Sequence, residues 1–245
     1  MVWSNVEILI VFTVTVSLRM LYLLANSLVK STMSNWSYDK RRVFVVRLVS
    51  FTHALVSGVC TIFGIEPNAT VGYFIHDLID MIVYGEALRS KEYIIHHSFS
   101  VAGFISILSS GYLLGIATIC LLAEVQTAFL HARTIFRLLG FDPTNSSFYG
   151  AIMRCNLVAL ILCRHIPTVY LLGYLIFIED RAYFVLKIFL LMGLSFLFYH
   201  NCHLQYRFLK TDGYLGDEID YLDEHHVDPL DSDPKKKKVT SDKLK

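Results

Sequence analysis

The sequence predicts an all-α, multi-pass transmembrane helical bundle of about seven helices. Apolar runs near the length of a bilayer-spanning helix recur along the chain. Hydrophobic residues make up 54% of the 245 residues and charged ones 18%, with a mean hydropathy of +0.50, less charge than a soluble domain carries. Lysine and arginine gather in every second loop, the pattern of loops that face a cytoplasm.

The first helix is expected over residues 6–29, interrupted by Arg19, which either pairs inside the bundle or reaches the interface. The loop 30–42 sets Lys40, Arg41 and Arg42 beside Trp36 and Tyr38, a mixture suited to a cytoplasmic membrane interface. Helices follow over 43–65, with Arg47 and His53 on it, and over 71–88, ended by the basic turn 89–91. A fourth, over 93–108, is short enough for a re-entrant segment, and Ser109-Ser110-Gly111 turns the chain after it. The fifth, over 112–139, encloses Glu124, Gln126 and His131; Gly140 stops it and Asp142-Pro143 breaks it. The sixth, over 147–178, is too long for one straight span, and Pro167 should kink it. The seventh covers 182–209, and the tail 211–245, acidic and then basic at 235–238, is too poor in apolar residues to fold.

The loops after helices 2, 4 and 6 hold one basic residue, Arg181, whereas those after 1, 3, 5 and 7 are basic. The positive-inside rule then expects an outside N-terminus, seven spans and a cytoplasmic tail. The N-terminal run lacks a basic start and a small-residue cleavage site, so it reads as a retained anchor. Of the sequons at Asn35, Asn68 and Asn145, this topology puts Asn68 alone outside, close to the bilayer. The five cysteines lie in apolar segments without metal spacing and read as reduced packing residues.

Chemistry concentrates in the stretch 72–97. Tyr73, Asp77, Asp80 and Tyr84 share one helical face, with His76 beside it. Carboxylates are costly against lipid, so that face must meet protein or a wet cavity. It reads either as an acid/base or ion site or as a buried network that fixes helix packing. His96-His97 opens the next helix; adjacent side chains diverge by about 100°, so one imidazole can face a cavity while the other braces it. A histidine there can act as a base or as a nucleophile that takes up an acyl group, or the pair can be merely interfacial. Metal binding is not expected: His200 and His203 add a single pair on a helix that reads as distant. Glu124 and His131 share a face and could complete the same cavity, or Glu124 could pair with Arg154 or Arg47. Arg154 and Arg164 could meet phosphate headgroups or the carboxylates. No Gly-rich phosphate loop, GxSxG or nucleic-acid motif occurs.

The stretches GYFIHDLIDMIVYG, EYIIHH and LLAEVQTAFLHARTIFR resemble the TLC domain, shared by ceramide synthases, translocating-chain-associating proteins and a neuronal ceroid lipofuscinosis protein. The resemblance covers 38–210, leaving 1–37 as an N-terminal helix with its basic loop and 211–245 as a tail. It implies six helices around a lipid-accessible cavity, preceded by one extra helix. The motif order is most similar to the family's plasma-membrane members, implicated in limiting polyunsaturated acyl chains in phospholipids and so in keeping membranes rigid. By resemblance the partners are membrane phospholipids or acyl chains, no cofactor is needed, and the location is the plasma membrane, with the endoplasmic reticulum as alternative. Catalysis is not implied by that comparison. The competing expectation is a ceramide-synthase-like N-acyltransferase with acyl-CoA as substrate, using His96 or His97 as base or acyl carrier and Asp77 or Asp80 as partner. The chain departs from the synthases: their aspartates follow the histidine pair, whereas here the later position holds Glu124 and His131.

Overall fold

The computed structural model describes residues 4–62, 68–83, 91–111, 113–144 and 146–215. Among these residues the chain forms seven helices and no strand. They are α1 (Asn5–Thr32), α2 (Tyr38–Ile62), α3 (Asn68–Val83), α4 (Lys91–Ser110), α5 (Leu114–Leu138), α6 (Ser147–Phe177) and α7 (Phe184–Thr211). Five of them, all but α3 and α4, are long and apolar enough to cross a bilayer. The 16 residues of α3 reach roughly 24 Å at 1.5 Å per residue, and the apolar part of α4 is Ile94–Ser110. The expected tail begins with the end of α7 and a turn to Leu215; Tyr84, residues 89 and 90 of the expected basic turn 89–91, and residues 216–245 lie outside the described residues.

Local chemistry sets the ends. Ser4 caps α1 reciprocally with Glu7: the Glu7 N–H donates to Ser4 Oγ at 3.2 Å and the Ser4 N–H to Glu7 Oε2 at 2.7 Å. Gly140 stops α5 with φ +90°, a conformation open to glycine, and Ser146 caps α6 by accepting from the Tyr149 N–H. Trp36, just before α2, lies under the Lys40 ammonium at 4.2 Å and edge-on to Phe44.

Two long helices are less regular than the sequence suggests. A turn at Leu122 divides α5 into Leu114–Leu121 and Ala123–Leu138, with no Gly or Pro to announce it. In α6 a π-turn occupies Ile161–His165, directly ahead of Pro167. Proline has no N–H to donate and its ring crowds the carbonyl four residues back, so the helix widens there.

Helices α1 and α3 cross so closely that a Cβ on Gly72 would lie 2.7 Å from the Val11 carbonyl oxygen. The Thr15 hydroxyl uses that proximity to donate to the Gly72 carbonyl at 3.0 Å. Helix α2 packs on the second half of α5, where Gly58 admits Val125. The main core joins Phe74, Phe104, Leu121, Leu171, Leu175, Leu190 and Leu194 from α3 to α7. Leu9, Phe12 and Leu24 of α1 and Val185 of α7 remain exposed, the arrangement of a bundle surrounded by lipid. All five cysteines are free, and Cys155 and Cys202 are exposed rather than packed.

Candidate functional site

The expected polar face of α3 divides into two arrangements. Asp80, buried, receives Arg19 of α1 at 3.2 Å and faces Arg42 of α2 at 3.9 Å. That is an ion cluster tying three helices together, and it pairs Arg19 with Asp80 while leaving the Arg19 side chain 42% exposed. One turn earlier, Asp77 accepts from His97 Nε2 of α4 at 3.0 Å. With Nε2–H committed to the carboxylate, Nδ1 of His97 keeps its lone pair, and it has no hydrogen-bond partner. Tyr73 stacks on His53 of α2 at 3.5 Å between ring centroids, and His53 Nε2 meets Ser57 Oγ at 3.0 Å. His76 is buried with neither ring nitrogen bonded.

A cavity of about 100 Å³ opens between α3, α4, α5, α6 and α7. Its walls are apolar, dominated by Phe74, Phe99, Phe104, Phe189 and Phe196, and its polar lining includes His96, Glu124 and Arg164. The histidine pair is therefore split as helical geometry demands: His96 lines the cavity and His97 is held by Asp77. Arg164 lies within electrostatic range of both His96 and Glu124. Its guanidinium is fixed from two sides, donating to Thr127 Oγ1 of α5 at 2.8 Å and to Asn201 Oδ1 of α7 at 3.3 Å. Glu124 is buried, and its Oε2 has no hydrogen-bond partner and is itself shielded from the cavity. Arg164 brings a positive charge to the cavity lining.

Not every expected residue lines this cavity. Tyr73, His76, Asp80 and His131 are buried elsewhere in the polar interior, and Tyr84 lies outside the described residues. Arg154 sits on the exposed face of α6, and Arg164 takes the place expected of it beside Glu124. Ten residues on a helix leave two side chains about 80° apart, and the π-turn shifts the phase further, so the two arginines cannot share one face. His200 is the residue that sequence reasoning placed too far away: its ring stacks on His96 at 5.9 Å, and Phe196, one turn earlier on α7, stacks on it in turn. The i, i+4 spacing of Phe196 and His200 was the available sign that His200 faces inward. No group of three or more His, Cys, Asp or Glu suited to a metal occurs among the described residues.

A helical membrane bundle around an apolar cavity with buried ionisable groups is a class of architecture suited to lipid ligands. A family model described as the TLC domain matches residues 3–210, and the chain belongs to that family. The matched stretch includes α1. TLC domain-containing protein 1 of Gallus gallus is 27% identical over 198 residues, covering 71% of this chain and 78% of that protein. TLC domain-containing protein 2 of Danio rerio is 29% identical over 163 residues, covering 66% of this chain and 61% of that protein. The Homo sapiens TLC domain-containing protein 1 is 27% identical over 188 residues, covering 67% and 73%. No solved structure matches the chain significantly.

Proposed function

We propose that the protein takes a lipid acyl chain into this cavity and regulates the lipid composition and fluidity of the plasma membrane. It limits the incorporation of polyunsaturated acyl chains into phospholipids and so favours a more rigid bilayer. One observation carries the reading: the phenylalanine-lined void has His96, Glu124 and Arg164 among its lining, a fit for a ligand with a long apolar body and a polar head. On this reading the partners are phospholipids or their acyl chains, and the chemistry needs no cofactor. The alternation of basic loops supports an outside N-terminus and a cytoplasmic tail.

A second reading is favoured by the Asp77–His97 bond at 3.0 Å. A carboxylate that orients one imidazole of a pair, with the other lining an apolar cavity, is the preparation that acyl transfer from acyl-CoA to an amine would use. A single lipidomic comparison separates the two. Cells lacking the protein are given wild type, the His96→Ala/His97→Ala double variant or nothing, with polyunsaturated fatty acid supplied. The first reading expects wild type to lower polyunsaturated phospholipids while ceramides stay flat. A rise in ceramides with wild type alone replaces it with the acyltransferase.

A further inference from the structure

We infer that Gly103 and Gly193 are the specificity-determining pair of the cavity, setting a width that admits cis-unsaturated chains. The inference rests on the acyl-chain reading above. On α4, Phe99, Gly103 and Ile107 repeat every fourth residue, and all three line the cavity. On α7, Phe189, Gly193 and Leu197 repeat the same bulky–glycine–bulky pattern, and all three line it too. The two helices pack against each other, and Phe99 of one meets Phe189 and Phe196 of the other at 5.7 and 6.0 Å between ring centroids. Each of the two facing walls thus lacks a side chain in the middle of a bulky repeat.

The space at each glycine is measurable. A Cβ on Gly103 would meet nothing within 4 Å, and one on Gly193 would touch Phe99 Cδ1 at 3.5 Å, ordinary van der Waals contact. An alanine at either site is therefore accommodated, and a leucine must project its extra atoms into the void or displace Phe99. Neither glycine has a positive φ, so backbone conformation does not demand glycine here. His96, Glu124 and Arg164 also belong to the lining, so the cavity is not wholly apolar. A straight saturated chain needs the least cross-section. A chain with cis double bonds bends within a few carbons and needs lateral room, which the paired glycines supply. Filling that room should exclude the bent chain first.

The test uses the full-length protein in nanodiscs with two probes, a 16-carbon saturated and a 20-carbon polyunsaturated fatty acid. Wild type, Gly103→Leu, Gly193→Leu and Gly193→Ala are compared with Gly115→Leu, a control outside the cavity whose Cβ would also meet nothing within 4 Å. Each leucine variant in the cavity should weaken polyunsaturated binding by about tenfold or more while saturated binding changes little. Gly193→Ala, which the contact distance tolerates, should give a smaller shift in the same direction and keeps the test open if a leucine variant does not fold. Unchanged binding of both probes in every folded variant overturns the assignment, as does an equal loss of both. Wild type that binds neither probe overturns the acyl-chain reading itself and the assignment with it, which distinguishes the two failures.

Discussion

Two aspartates three residues apart on α3 have been given different work by their neighbours. Asp80 is buried and pairs with Arg19 and Arg42, so removing its charge takes a shared counter-charge from both guanidinium groups. Asp77 answers to one imidazole, and an asparagine there keeps an oxygen for His97 to donate to. Asp80→Asn should therefore lower stability by about 2–4 kcal/mol, less than a fully enclosed pair because Arg19 is 42% exposed. Asp77→Asn should cost under about 1 kcal/mol. Thermal unfolding in detergent, followed by intrinsic fluorescence, compares them; equal losses would remove the distinction between a tying residue and an orienting one. The sequence made both aspartates and the histidine pair visible, because carboxylates and imidazoles in apolar segments stand out. It could not apportion them, since the partners Arg19 and Arg42 come from helices about forty to sixty residues away in the chain. Arg154 and Arg164 were likewise visible, but which one faces inward depends on helical phase through a π-turn.

At the scale of elements, the seven helices were legible from their apolar lengths, and Pro167 announced the irregularity in α6. The break at Leu122 was not, because it falls in a continuous apolar run with no residue type that disfavours a helix. Close approach was also hidden: nothing in the string of α3 says that Gly72 must admit the backbone of α1. A leucine there would set atoms against the Val11 carbonyl, where even a Cβ would sit at 2.7 Å, and would displace the Thr15 hydroxyl from the Gly72 carbonyl. Gly72→Leu should destabilise by about 1–3 kcal/mol through separation of α1 from α3. Gly173, inside α6 with nothing within 4 Å of a built Cβ, gives the opposite sign: Gly173→Ala should stabilise by up to about 1 kcal/mol. Protease resistance and unfolding temperature, measured on both, check the contrast. A Gly72→Leu protein as stable as wild type would mean that α1 docks loosely.

For the whole molecule the open quantity is direction across the membrane. Arg133, late in α5, forms a bidentate pair with Asp212, one residue past the end of α7, and its guanidinium lies over Phe208 at 5.0 Å. The C-terminal ends of α5 and α7 therefore share one side of the bundle. By the alternation of the helices, the sequence expects the basic loops after α1, α3 and α5 on that same side, its basic face. His96 lies six residues into α4, roughly 8 Å from its start, on that basic face's half of the bundle. Orientation thus decides which compartment the histidine end of the cavity approaches. With epitope tags at either end of the chain, intact cells should label the N-terminus and permeabilised cells alone the tail. That result brings His96 toward the cytoplasm, the side from which the phosphate-bearing CoA head of an acyl-CoA would have to enter. A tail labelled in intact cells would turn the histidine end outward, remove acyl-CoA from its reach and leave the outer leaflet's phospholipids as the source of any bound chain.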